Sequence, residues 1–168
     1  MTGNLTTDTA PVHLPAAKEI RDLLEGLVGR DVKVAPTTPL APGPYAPCSV
    51  AVYVDDLLRI SAVIACDAAL SAWAAAAIGL VPAKRADEVR LAGALTPELA
   101  ENLSEVLNVA AALFNVPGAA HLRLHALHPA GPALPADALA RSLALGRRID
   151  LQVEIAGYGA GTLAVVLS

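Results

Sequence analysis

The chain has 168 residues, 55% of them hydrophobic, 3% aromatic and 17% charged, with a net charge of −4 and a pI of about 5.5. That length allows one domain with a core built mainly from Ala, Leu and Val, and the acidic balance excludes the electrostatic footprint of a nucleic-acid binder. No apolar run reaches the ~20 residues of a membrane-spanning helix, and the N-terminus lacks a basic-then-apolar leader pattern, so a soluble cytoplasmic protein is the expectation.

Residues 1–14 are Thr-rich and aperiodic and read as a loose tail, leaving 15–168 as the domain. Pro15 opens a first helix, Ala16 to Val28, with Ile20, Leu23, Leu24, Leu27 and Val28 on its apolar stripe and Gly29 at its end. Glu19 and Asp22 lie among Lys18 and Arg21, the pattern of a solvated charged face. Asp31 to Ala35 reads as a short strand. Pro36, Pro39, Pro42, Pro44 and Pro47 then forbid regular structure up to Cys48.

Ser49 to Val54 and Leu58 to Ala65 are Val- and Ile-rich and joined by Asp55-Asp56, a hairpin signal. Val50, Val52 and Val54 alternate with Ser49, Ala51 and Tyr53, which predicts one buried face. A turn at Asp56-Leu57 would bring Cys48 and Cys66 roughly opposite each other. A cross-strand disulfide is then geometrically open, while two buried thiols are the better reading for a reducing compartment. Asp67 caps an Ala-rich helix, Ala68 to Ile78, ended by Gly79 and apolar nearly all round, which calls for burial on several sides or against a second subunit. Trp73 in it reads as a packing residue. Ala83 to Ala94 is charged and reads as a solvated loop or short helix.

Thr96 and Pro97 then start the most informative helix, an N-cap followed by a proline at the first helical position. At about 100° per residue, Leu99, Leu103, Val106, Leu107, Ala110, Leu113 and Phe114 share one broad apolar face. Opposite runs a narrow stripe of Glu101, Glu105, Asn108, Ala112 and Asn115. Glu105 and Asn108 are three residues apart, hence neighbours. Asn is a mediocre choice inside a helix. The stripe therefore fits either an ordinary solvated face or a working surface.

His121, His125 and His128 would share a face in a helix, but the alternation of Leu122 and Leu124 with His121, Arg123 and His125 is that of a strand. A guanidinium between two would-be ligands repels a cation, so the polar edge of a sheet is the better reading, with no metal site. Asp137 to Leu145 is a short helix or irregular crossover. Arg148 to Ile155 and Thr162 to Leu167 read as strands joined by a glycine-rich hairpin turn, since a phosphate-cradling loop would need a helix after it. No internal sequence repeat is evident.

The order of elements, the helix ending Ala76-Ala77-Ile78-Gly79 and above all Glu105-Val106-Leu107-Asn108 resemble the CheC/CheX family of chemotaxis phosphatases, from about Ala16 to Ser168. A single Glu-x-x-Asn helix is similar to the CheX-like branch. The resemblance implies an α+β single domain, a largely antiparallel sheet with long helices packed on it. One departure stands out: the Gly-Asn pair that often follows the motif asparagine is replaced by Val109-Ala110-Ala111-Ala112-Leu113.

In activity, the resemblance implies hydrolysis of the phospho-aspartate of a CheY-like response regulator. Asn108 would orient the attacking water and Glu105 would pair with the regulator's active-site lysine, these two being the catalytic residues. Glu101, Ala112 and Asn115 would complete the partner-binding surface. Mg²⁺ would be held by the partner's carboxylates, with no cofactor or metal bound by this chain. The alternative is a non-catalytic interaction domain that binds a receiver domain or forms a homodimer.

Overall fold

The structure is a computed structural model that describes residues 10–168. The elements, in order, are α1 (Ala17–Val28), β1 (Val32–Pro36), β2 (Cys48–Val54), β3 (Ile60–Asp67), α2 (Ala68–Ile78), α3 (Ala83–Ala92), α4 (Pro97–Val109), a 3-10 turn (Ala110–Leu113), β4 (Arg123–His128), α5 (Ala136–Leu143), β5 (Arg148–Ile155) and β6 (Gly159–Leu167). They form one α+β domain.

The six strands make a single antiparallel sheet in the order β1-β5-β6-β3-β2-β4. Read from either end the order is the same once β1 is exchanged with β4, β2 with β5 and β3 with β6. The topology therefore repeats where the sequence does not. In this arrangement α1 leads into β1 as α4 leads into β4.

One face of the sheet carries the main core, with α1, α2 and α4 packed on Ala51, Tyr53, Ile64, Cys66, Leu151, Leu163 and Val165. The other face has a smaller core of Val50, Val52, Val63, Ala65, Ala164 and Val166 covered by Ala138 of α5 and by Leu40 and Leu134 of the loops. Every residue of β2 is buried. Val50 and Val52 are buried under α5 and the loops, as the alternation indicated; the side it left to solvent, with Ser49, Ala51 and Tyr53, is buried as well because α2 and α4 pack on it.

The hairpin after β2 also differs from the expected one. Asp55 Oδ1 accepts from the amides of both Leu57 and Arg59, making a wider turn, and the ladder shifts between Tyr53 and Val54. Cys48 consequently faces Asp67, and Ser49 faces Cys66. The two cysteines lie one register step apart, on opposite faces of the sheet. Both thiols are free and buried.

α2 is buried on several sides within the chain, against α1, α3, α4 and β6. Asp67 Oδ1 caps it by accepting from Leu70 N at 2.8 Å, while Oδ2 accepts from Thr162 N at 3.0 Å. Trp73 packs in the core and donates from Nε1 to Ala160 O at 3.2 Å. The glycines of the β5–β6 turn make room for this helix: a Cβ on Gly159 would lie 2.9 Å from the Trp73 ring. The charged segment after α2 is the helix α3.

The expected loose tail falls, for residues 1–9, outside the described residues. Its remainder is docked. Val12 and Leu14 pack against the main core, and Pro11 O accepts from Ala120 N at 2.9 Å. His121 and Arg123 are exposed and Leu122 buried, and β4 is an edge strand, as the alternation indicated. His125 sits at a ladder irregularity opposite Val52 and Tyr53. Among the described residues no helix is long and apolar enough to cross a membrane.

Candidate functional site

α4 starts where Thr96 Oγ1 accepts from Leu99 N at 3.3 Å, with Pro97 in the first turn, where its missing N–H is harmless. Leu99, Leu103, Val106 and Leu107 are buried, and the apolar face continues through Ala110, Leu113 and Phe114. The element is not α-helical as far as Asn115. It gives way after Val109 to the 3-10 turn Ala110–Leu113, yet the expected division of faces persists. Glu101, Glu105, Asn108, Ala112 and Asn115 are all exposed.

Three polar contacts hold this element besides its apolar face. Asn102 Nδ2 donates to Ala75 O of α2 at 3.1 Å. The approach depends on Gly79, where a Cβ would lie 2.4 Å from Asn102 Nδ2. The buried Tyr53 hydroxyl donates to Leu107 O at 2.5 Å. Beyond the 3-10 turn, Asn115 donates from Nδ2 to Leu122 O at 2.9 Å and accepts at Oδ1 from Leu122 N at 2.8 Å. Asn115 was read from the sequence as part of the partner surface; both polar atoms of its amide are engaged in tying the 3-10 turn to the start of β4. Asn102 and Tyr53 were not singled out from the sequence, because their partners lie 27 and 54 residues away.

The stripe itself is open. Glu98 pairs at 3.5 Å with Arg85 of α3. Among the described residues, the side chains of Glu101, Glu105 and Asn108 make no hydrogen bond or ion pair. Val109 is 45% exposed beside them. The result is an acidic, convex strip bearing one amide, with free donors and acceptors on a firmly held helix. Such a surface can meet a cation or an ordered water on another protein; it does not enclose a small molecule.

A hollow of about 350 Å³ lies between the proline loop and the β4–α5 loop, lined by Gly43, Pro47, Cys48, Gly131, Leu134 and Leu139 among others. It is apolar and is formed on the α5 side of the sheet, away from α4. Burial, helped by the charge of Asp67, pushes the Cys48 thiol up to about 12, and burial raises Cys66 further. Neither sulfur is a nucleophile near neutral pH. Among the described residues no three His, Cys, Asp or Glu side chains are grouped to hold a metal ion.

No family model and no curated protein sequence matches the chain. Solved structures do, and they show its fold, that of the FliM middle domain. The FliM middle domain of Vibrio alginolyticus is similar at a TM-score of 0.56 and 15% identity, over 89% of this chain and 86% of that one. FliM of H. pylori, in a FliG–FliM complex, is similar at a TM-score of 0.52 and 11% identity, over 90% and 85%. The CheX–CheY–BeF3–Mg complex of Borrelia burgdorferi is similar at a TM-score of 0.49 and 9% identity, over 87% and 90%, a likeness too distant to assign contacts or activity.

Proposed function

We propose that this chain is a CheX-like phosphatase acting on the phospho-aspartate of a CheY-like response regulator. The observation that carries the reading is the pair Glu105 and Asn108, exposed one helical turn apart, unengaged among the described residues, on a helix whose opposite side is buried. The fold and the resemblance of the Glu-x-x-Asn helix support it.

The chemistry matches these residues. An acyl phosphate already has a good leaving group, so hydrolysis needs mainly a water held in line and charge stabilisation. The Asn108 amide accepts and donates without a charge that would repel phosphoryl oxygens. Glu105 offers a carboxylate to the ammonium of the regulator's lysine, which docks the two proteins and sets their register. Glu101 adds to the negative field along the approach, and Ala112 is short enough to let the partner come close. Mg²⁺ belongs to the regulator, since this surface is to be approached by a metal-loaded site and need not supply one.

The test is the rate of phosphate loss from a phosphorylated receiver domain with Mg²⁺, with and without equimolar protein. Acceleration by the wild type and none by Asn108→Ala, itself folded, is the expected result. No acceleration across a panel of regulators contradicts the reading.

A second reading, a non-catalytic interaction domain, is favoured by one pair of observations. The family's Gly-Asn pair is replaced by Val109-Ala110-Ala111-Ala112-Leu113, and the next asparagine, Asn115, is tied to Leu122. A FliM middle domain of similar fold occurs in complex with FliG. This reading expects receiver binding, or self-association through an edge strand, with an unchanged phosphate lifetime.

A further inference from the structure

Tyr53 carries a hydroxyl in a place where phenylalanine would keep every apolar contact. It lies on β2, wholly buried, with its ring tilted at 59° to Phe114 and 5.0 Å between centroids. A buried hydroxyl is costly unless bonded, and this one donates to Leu107 O. Burial pushes the phenol well above its ordinary value, so the donor proton stays in place through the working range.

The acceptor is next in the chain to Asn108. It belongs to the last turn of α4, where the α-helical pattern of backbone hydrogen bonds gives way to that of the 3-10 turn. Two residues beyond Asn108, the chain tightens into the 3-10 turn. There each residue turns about 120° instead of about 100°. Tightening that spread back as far as residue 108 would swing its side chain by about 20° relative to Glu105. Tyr53 holds both sides of this junction, the hydroxyl on Leu107 and the ring on Phe114.

We infer that the Tyr53 hydroxyl is the positioning group for Asn108, fixing where the α-helix gives way to the 3-10 turn and hence the direction in which the amide leaves the surface. Its meaning for catalysis rests on the proposed role of Asn108; the effect on the geometry of residue 108 does not.

The test is Tyr53→Phe, read in two ways. In NMR spectra of the free protein, the side-chain amide signals of Asn108 are expected to move while those of Asn102, held by α2, stay. In titrations against a phosphorylated receiver, the maximal acceleration is expected to fall roughly ten-fold. The half-saturating concentration is expected to stay unchanged, because Glu105 lies a turn away on the part held by Leu103 and Val106. Placing 4-aminophenylalanine at position 53 restores an N–H donor and is expected to recover both signals and rate. Should Tyr53→Phe not fold, the 4-aminophenylalanine variant carries the comparison alone, and Asn108 signals displaced from those of the wild type despite the restored donor overturn the inference.

Unmoved Asn108 signals in folded Tyr53→Phe overturn it as well, whatever the rates. So does a loss that appears only in half-saturation, which would make the hydroxyl a matter of docking. If the wild type accelerates nothing, the phosphatase reading fails while the NMR comparison still decides the positioning.

Discussion

α1 and α4 open the two halves of the sheet in equivalent places, and both bury one side against it, yet they treat their exposed polar groups differently. On α1 these groups satisfy one another or the adjoining backbone. Glu19 accepts from Ala16 N at 3.0 Å and meets His13. Asp22 takes Lys18 at 2.7 Å and Arg21 at 3.2 Å. Glu25 accepts from Val32 N at 3.1 Å. The Ala16 amide holds Glu19 below the usual carboxylate range, and the hydrogen bond from Lys18 does the same for Asp22.

On α4 only Glu98 is paired, and the stripe from Glu101 to Asn108 has no partner among the described residues. Exposed ion pairs add little stability, so α1 is not made much firmer by its pairs. Its carboxylates have simply been given partners already. The lesson is that equivalent positions in a repeated topology need not be equivalent surfaces: one is closed by its own cations, the other is without such partners among the described residues.

The sharpest way to break this comparison is mutation on both helices. Asn108→Ala is expected to remove the acceleration of phosphoryl loss, roughly a hundred-fold change for loss of a positioned group. Asp22→Ala on α1 should leave the rate where it was. A rate that follows Asp22 would reverse the assignment.

The next largest effect concerns the sheet beneath both helices. Burial raises the thiols of Cys48 and Cys66 and the phenol of Tyr53. These groups stay protonated in the folded state while their unfolded counterparts ionise. Their contribution is intact below the unfolded thiol value of 9.0 and, for Cys48, is lost as pH rises towards about 12. Denaturant unfolding between pH 8 and 11 should show stability falling by about 1.4 kcal/mol per pH unit for each group that ionises only on unfolding. In the same spirit, a thiol reagent at pH 8 should find neither cysteine until the protein unfolds.

A smaller effect isolates how α4 is held. Gly79→Ala pushes a methyl group into Asn102, and Asn102→Ala removes the bond to Ala75 O. Each should cost about 1 kcal/mol in thermal or denaturant unfolding. Combined they should cost less than their sum, because they remove one contact. The smallest effect is Glu105→Gln, expected to weaken receiver binding a few-fold, more at low salt than at high, with turnover at saturation little changed.

How far the sequence reaches is clearest on α4. A period of 3.6 residues sorted Leu103 and Val106 from Glu105 and Asn108, because a helix on a core has no other way to dispose of them. Caps at Asp67 and Thr96 were legible for the same local reason. Illegible were features set by distant chain. The register of β2 and β3 depends on an irregularity just past the Asp55 turn, where Ser61 is the extra residue between the pairs Val54–Ile60 and Tyr53–Ala62, and this moved Cys48 and Cys66 to opposite faces. The second buried face of β2, that of Ala51 and Tyr53, depends on α4, more than 40 residues later in the chain. Nothing in an alanine run marks the change to a 3-10 turn at Ala110, and the engagement of Asn115 with Leu122 could not be read from an exposed, polar, correctly phased position.

The most direct measurement is an NMR titration of the chain with a receiver domain held in its active form by BeF3 and Mg²⁺. The account predicts perturbations centred on Glu101, Glu105, Asn108 and Ala112, with Lys18, Arg21 and Asp22 of α1 unmoved. A footprint on α1 or on the proline loop, or none at all, would contradict it.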